Sequence, residues 1–501
     1  MNVINDSWLF VRYLNNEIKQ ISVRQAFIDA EKIKNIETPI FHDIKVLIYD
    51  VPVIQFLSTL LLAAYFKPET EFKARQSNFN KDLLENDWDI NIILNYLDTW
   101  QDRFNLEDEK YPFLQNIKLK DITSSDDTLE FLCRTSLVVP GGANLLFEHN
   151  PNNSKPELSN YIPTMDELVY MLLYSNSLST SPMATAYPNK SLCTNQTLFM
   201  LAFGKNLKET ILYNSLPLRH NSHSENLYDK PCWEFDSYDE IRQYLDEDSL
   251  YTNTLLCTFF PSQPIYVLFE NNIPVNIQLD KKFITFMSKD EKNELSSQYV
   301  ISNPWTIAKQ NKDTDEYSYK EWTNSLKLIA LCIDITKKSK QHTLCRIIEN
   351  LKENNHARCI IYYREYDGMK ANVLSFGKYE ISQDIFDKLQ IEKNHDKAEI
   401  FQTYLSKIQG KFNILKDAEL PEFILNNLKL NFSKYSEQQF FNNFVLNIED
   451  SDILNNTLDD LILYSKKIVR NSSELSQNPL QYAKSYAKFC GSLNKIRKEY
   501  I

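Results

Sequence analysis

Apolar positions along this chain fall into two regimes. Beyond residue 380 they recur at helical spacing: Phe401, Leu405, Ile408 and Phe412; then Phe440, Phe441, Phe444, Val445 and Ile448; then Leu454, Leu458, Leu461 and Ile468; then Ala483, Tyr486, Ala487, Cys490 and Leu493. Each set is one stripe wide, so each helix has to bury its stripe against the others. Stripes of this kind joined by short polar links predict a four-helix bundle over 381–501. Ser436-x-x-Gln439 has the form of a capping box and predicts the start of the second helix.

Residues 1–380 mix strand and helix signals with short irregular stretches. Trp8–Val11 predicts a short strand, Ile21–Ile33 a helix capped by Ser22, Ile44–Phe66 one or two core helices, and Ile92–Phe104 a further helix. Val51–Phe66 is the most apolar run, but it is shorter than a membrane span and contains Gln55, Ser58 and Thr59, so it predicts a buried helix. Polar loops are expected at Asn150–Tyr161 and His220–Lys230. Two β-rich runs, Cys359–Tyr363 and Val373–Phe376, flank Asp367-Gly368, which is the pattern of a hairpin closed by a tight turn with positive φ. The fold class expected is α+β, with a large mixed domain over 1–380 followed by the bundle over 381–501.

Composition narrows the function. The 501 residues are 43% hydrophobic and 13% aromatic, ample for a large core. The net charge of −12 lacks the basic footprint of a free-standing nucleic-acid binder, so any such contact has to be local or shared with basic partners. The eight cysteines form no C-x-x-C pair and read as buried free thiols of a reducing cytosol, with no zinc site and no disulfide framework. Met1–Arg12 has no signal-peptide pattern. A cytoplasmic chain without a membrane anchor is therefore expected.

Catalytic signatures are missing. There is no G-x-S-x-G, P-loop, G-x-G-x-x-G or H-E-x-x-H. Of the seven histidines only His220 and His223 are close, in a polar loop, and zinc needs three or four ligands. Acidic runs such as Asp246–Asp248 and Asp313–Glu316 read as solvated surface. Two segments have the character of binding loops. Val138–His149 holds Gly141-Gly142, the only glycine pair in a chain with seven glycines, beside Asn144 and Phe147. It reads either as an ordinary tight turn or as a loop that brings backbone N–H groups to a ligand. The 367–376 hairpin carries Lys370 and Asn372 near its tip, and it reads either as structural or as a base-reading and base-wedging element.

Several islands, in order, resemble one family. They are Asn2–Val11 (NVINDSWLFV), Ile21–Ala30 (ISVRQAFIDA), Trp100 with Arg103-Phe104, Tyr111–Gln115 (YPFLQ), Pro140–His149, Gly204–Pro217 (GKNLKETILYNSLP), Asp229–Glu234 (DKPCWE), Asn303-Pro304 and Asp367–Phe376. Together with the terminal bundle they resemble the large subunit (CasA type) of the type I-E CRISPR Cascade complex, over essentially the whole chain.

The resemblance implies a non-catalytic subunit of an RNA-guided antiviral complex; no cofactor is expected, and the C-x-x-C zinc ligands that some members carry are missing from this sequence. In such a complex guide pairing reads sequence, while the protein reads a short duplex flank, the PAM. Partners implied are crRNA, target double-stranded DNA, the other Cascade subunits and a helicase–nuclease. Carried over by position, Gly141, Gly142, Asn144 and Phe147 fall in the loop at the crRNA handle. Asn372 falls at a minor-groove reader, Val373 at a wedge and Leu374 beside it, with Lys370 near the tip. Lys281 or Lys282 falls near a minor-groove lysine. The family's glycine-rich loop is replaced here by Leu178–Pro182, with Ser179-Thr180-Ser181. That departure keeps a second reading open, a structural adaptor that docks the nuclease with weak or lost PAM readout.

Overall fold

A computed structural model describes residues 1–37, 40–41, 44–45, 50–65, 79–120, 162–177, 198–215, 230–237, 240–241, 243, 254–259, 265–279, 305, 308–310, 317–318, 329, 333, 343–344, 358–367, 372–381, 383–418, 420–476 and 478–500. The chain divides into two compact units, one of Met1–Glu321 with Leu344–Glu380, the other of Trp322–Thr343 with Ile381–Ile501.

The first unit is organised around the helix Asp50–Tyr65, in which every residue from Asp50 to Ala64 is buried. A helix apolar on all sides has to be enclosed on all sides. The helices Ile90–Trp100, Met165–Ser177, Leu207–Asn214 and Thr254–Thr258 pack on it. At its centre the Phe56 ring meets Phe113, Trp233 and Phe259 with centroids 5.7, 5.7 and 5.9 Å away, and Phe104 at 6.2 Å. The expected core helix therefore exists, but Ile44-Lys45 belongs to a two-residue strand ahead of it.

Polar fasteners hold the chain segments around this core. Near the N-terminus the Asn2 Oδ1 accepts from the N–H groups of Ile4 (3.2 Å) and Asn5 (3.1 Å), while its Nδ2 donates to the Gln101 carbonyl at 2.9 Å. Trp8 Nε1 donates to the Val3 carbonyl at 2.6 Å. An antiparallel sheet follows, Ile18–Ile21 and Ile33–Ile36 flanking Leu9–Tyr13. Between them Ser22 caps a helix, its side chain accepting from Gln25 N at 3.0 Å. That helix spans only Val23–Ile28 rather than 21–33, because Ile21 and Ile33 are both committed to strands. The helix expected to Phe104 likewise stops at Trp100 and tightens into a 3₁₀ turn, Gln101–Phe104. A second hairpin, Ile265–Glu270 with Ile273–Leu279, turns on Asn271 and Asn272 at φ 51° and 63°, the positive values that a two-residue hairpin turn needs and asparagine tolerates.

In the second unit the four long helices are Glu392–Lys411, Glu422–Gln439, Ile453–Asn471 and Pro479–Tyr500, preceded by Gln383–Gln390. The first of the four packs on each of the other three, and the third also packs on the second and fourth. Phe401, Leu405, Ile408 and Phe412 are buried as their spacing requires. Two local expectations are corrected. Ser436 is not a helix cap: it is fully buried mid-helix and donates to the Phe432 carbonyl at 2.8 Å, while the helix starts at Glu422 after Pro421. In the last helix the buried face is Tyr482, Ser485, Phe489, Leu493 and Ile496, whereas Ala483 and Ala487 are exposed. Phe489 and Ile496 bury far more apolar area than alanines, and they set the rotation of the helix. Beyond Gln439 the backbone widens into a π-helical turn, Phe440–Phe444, with Val445 N donating to the Phe440 carbonyl at 2.9 Å. The extra residue per turn lets Phe440, Phe441 and Phe444 all point inward, Phe444 stacking on Phe401 at 4.5 Å. Among the described residues no helix is long and apolar enough to cross a membrane.

One fastener has a readable pH dependence. Lys208 is enclosed between Asp87 and Glu31, its Nζ 2.9 Å from Glu31 Oε1, with the Trp88 ring 5.7 Å away. Its hydrogen bond to Asp87 holds that carboxyl below its ordinary value of 3.8. A lowered folded-state value contributes stability above the ordinary value and loses it as pH falls through the folded one. Asp87 is largely exposed, so screening limits the effect to under about 1 kcal/mol. Asp87→Asn, which also tolerates the φ of 70° at this position, is expected to lower the unfolding midpoint slightly at pH 7. The difference from the parent should begin to shrink as pH falls past 3.8 and vanish only below the lowered folded-state value, as followed by thermal melts across pH.

Candidate nucleic-acid interface

The 367–376 region is a hairpin of two ten-residue strands, Arg358–Asp367 and Asn372–Ile381. Asp367 ends its strand and Asn372 opens the returning one, while the turn expected at Gly368 lies outside the described residues. The hairpin's first strand is central in a three-stranded sheet whose other edge is Leu198–Phe203. The register runs antiparallel from Arg358↔Phe203 to Tyr363↔Leu198. Between this pairing and the hairpin tip lie Arg364–Asp367, four residues that span roughly 13 Å at about 3.3 Å per residue.

The anchor strand is itself held rigidly. Met200, Leu201 and Ala202 are fully buried. On the edge away from the hairpin, Met200 N donates to the Trp305 carbonyl at 2.7 Å. Asn214 covers the next position, accepting from Ala202 N at 3.2 Å and donating to the Ala202 carbonyl at 2.7 Å. The side-chain amide substitutes for a neighbouring strand, so the edge is satisfied without one.

The strand turns into the helix Leu207–Asn214 through Gly204-Lys205-Asn206. Asn206 caps the helix, accepting from Glu209 N at 2.9 Å. The Glu209 carboxylate folds back to Lys205 N at 2.8 Å, and the Thr210 hydroxyl accepts from Gly204 N at 3.1 Å. A Cβ on Gly204 would lie 2.1 Å from the Glu209 Cβ, so only glycine fits. The GKNLKET segment is thus a strand-to-helix clamp that fixes the sheet carrying the hairpin.

Of the residues singled out from sequence, Asn372, Val373 and Leu374 lie at the start of the returning strand. Lys370, Gly141, Gly142, Asn144, Phe147, Ser179, Thr180, Ser181 and Lys282 lie outside the described residues. So do the 220–223 histidine loop and the acidic runs at 246–248 and 313–316. No cluster of three His, Cys, Asp or Glu able to hold a metal occurs among the described residues. Burial pushes the Cys232 thiol up to about 12, which keeps it protonated and unreactive at neutral pH.

The family description of CRISPR-associated protein Cse1 matches residues 2–385. The chain belongs to the Cse1 family. The Cse1 (CasA) structure of Thermus thermophilus has 15% sequence identity and a TM-score of 0.66, over 100% of this chain and 99% of that one. Cse1 of Thermobifida fusca is 14% identical with a TM-score of 0.63, over 99% and 98%. A chain of a CRISPR RNA-guided surveillance complex is 13% identical with a TM-score of 0.61, over 98% and 99%. No curated protein matches the chain. At such identities the structural likeness establishes a shared Cse1 fold, mixed α+β followed by helices, along the full chain.

Gly204 provides the test of the clamp. Gly204→Ala is expected to destabilise the first unit by about 1–3 kcal/mol, the usual cost of overpacking. Differential scanning calorimetry reads this directly, and an unchanged melting profile would remove the clamp as a constraint.

Proposed function

We propose that this chain is the subunit of a type I-E Cascade complex that reads the PAM in target double-stranded DNA, helps to open the duplex and recruits the helicase–nuclease. Family membership supports the Cascade setting, together with the likeness to a chain of an RNA-guided surveillance complex. The observation that carries the reading to a site is the hairpin, a two-stranded ribbon of ten-residue strands anchored through its first strand on Leu198–Phe203. A two-stranded ribbon fits a DNA groove.

By the two-residue strand period, positions 372 and 374 fall on one face of the ribbon and 373 on the other. Asn372 is assigned to hydrogen bonding at a base edge in the minor groove. Val373, with Leu374 beside it, is assigned to wedging the first base step, where an apolar side chain opens stacking. Lys370, Lys282 and the Ser179-Thr180-Ser181 segment are assigned to the phosphates and floor of the same groove, and Gly141, Gly142, Asn144 and Phe147 to the crRNA handle. The partners are crRNA, target DNA, the other Cascade subunits and the helicase–nuclease, in the cytoplasm. No reaction is assigned to the chain itself. An acidic subunit suits this role, because basic partners hold most of the nucleic acid.

Minor-groove readout separates mainly A·T from G·C, so tolerance of more than one PAM is expected. Asn372→Ala in assembled complex should weaken binding to PAM-bearing duplex by roughly 1–3 kcal/mol, the scale of one base contact. Unchanged affinity in a gel-shift titration at fixed salt would sink the assignment. Equal PAM to non-PAM binding ratios with and without this chain would favour the nuclease-docking adaptor instead.

A further inference from the structure

The helix Leu207–Asn214 runs back along the strand Leu198–Phe203, and Asn206, Thr210 and Asn214 recur along it at a spacing of four residues. Four residues of helix rise about 6 Å. Two residues of strand rise about 6.7 Å. Side chains at that helical spacing therefore meet every second residue of the strand. The Thr210 hydroxyl accepts from Gly204 N at 3.1 Å, and Asn214 Oδ1 accepts from Ala202 N at 3.2 Å. The Trp305 carbonyl continues the row, accepting from Met200 N at 2.7 Å. The edge N–H groups of Met200, Ala202 and Gly204 are thus each bonded by a group that belongs to no strand.

Asn214 is the most constrained member of this row. It is wholly buried. Its Nδ2 donates to the Ala202 and Thr210 carbonyls, both at 2.7 Å, while its Oδ1 takes the Ala202 N–H. Both amide hydrogens and the oxygen are used, so a flipped amide would set donor against donor. Thr210 is held in the same way, its hydroxyl donating to the Asn206 carbonyl at 2.9 Å.

The strand's own side chains give no comparable reference. Leu198–Phe203 reads LFMLAF, apolar at every position, and Met200, Leu201 and Ala202 are fully buried. Apolar contact is non-directional, and a strand without alternation carries no pattern that favours one axial setting over the next. Hydrogen bonds to fixed side chains do favour one, because they weaken steeply with distance and angle. The strand passes its setting to the hairpin through the register Arg358↔Phe203 to Tyr363↔Leu198.

We propose that Thr210 and Asn214 are positioning residues for PAM reading: they set where the anchor strand lies along its own axis, and so where Asn372 meets the base edge. This rests on the assignment of the hairpin to the PAM. The two residues act through Gly204 and Ala202 and need no contact with DNA. A reader that relies on one or two contacts has to be held to within about 0.5 Å, which a strand free to shift along its axis does not provide.

The test uses assembled complex and gel-shift titration at fixed salt with PAM and non-PAM duplexes. The quantity read is the ratio of the two affinities. A merely structural role lowers the yield of complex and its melting midpoint but leaves that ratio unmoved. Thr210→Val keeps the shape and removes the hydroxyl, and Asn214→Leu removes the amide. Both should lower the ratio roughly threefold to tenfold, a part of what one base contact contributes. Thr210→Ser keeps the hydroxyl and should hold the parent ratio. Ser22→Ala removes a helix cap elsewhere in the first unit, so it should lower the melting midpoint and leave the ratio unchanged. The proposal is overturned if Thr210→Val keeps the parent ratio, or if Thr210→Ser or Ser22→Ala loses as much as Thr210→Val. Thr210→Val decides the outcome should Asn214→Leu fail to assemble. Asn372→Ala, run alongside, separates this inference from the hairpin reading. A lowered ratio there, with parent ratios in Thr210→Val and Asn214→Leu, overturns the positioning alone; an unchanged ratio for Asn372→Ala overturns both.

Discussion

Burial of the helix Asp50–Tyr65 on every side is the constraint from which the first unit follows. A lone helix cannot shield fifteen consecutive residues, so strands, helices and loops from distant parts of the chain have to close around it. Closing a shell from non-local segments leaves backbone ends that need partners. The side chains of Asn2, Gln115, Asn206 and Asn214 supply them. Each sits in, or directly beside, one of the recognisable sequence islands. The islands that carry the family resemblance are thus largely polar fasteners of a shared shell.

This shell gives the hairpin its mechanical footing. Met200–Phe203 of the Leu198–Phe203 strand are buried, and Trp305 and Asn214 bond its free edge, so the ribbon is paired with a rigid base. A reader of DNA shape or base edges needs that rigidity, because discrimination between base pairs rests on a contact or two placed to a fraction of an ångström. Leu114, held at φ 53°, belongs to the same shell.

The second unit solves a simpler problem. Four amphipathic helices bury one stripe each, and aromatic residues fill the centre: Phe412 contacts Phe432 at 5.4 Å and Phe489 at 5.2 Å. Many of its charged groups are in surface pairs, such as Arg497 with Asp459 and Lys488 with Asp417. Pairs of this kind contribute little stability and leave the helix faces solvated.

Local pattern by itself determined the elements whose logic is local. The 3.6-residue stripes located the bundle helices, Ser22 marked its helix start, and β-rich runs around Asp367-Gly368 marked a hairpin. The ordered islands were enough to identify the Cse1 family. What only the tertiary structure decided involves competition between distant segments. Ile21 and Ile33 left their expected helix for strands on either side of Leu9–Tyr13. Ser436 went to the interior because the helix had already begun at Glu422. The turn at Asn271-Asn272 was hidden in a chain rich in asparagine, and the hairpin's third strand lay far back in sequence. Pairing across such distances leaves no periodic trace in the sequence, because register is set by which edges and apolar faces remain unfilled once the rest of the chain has packed.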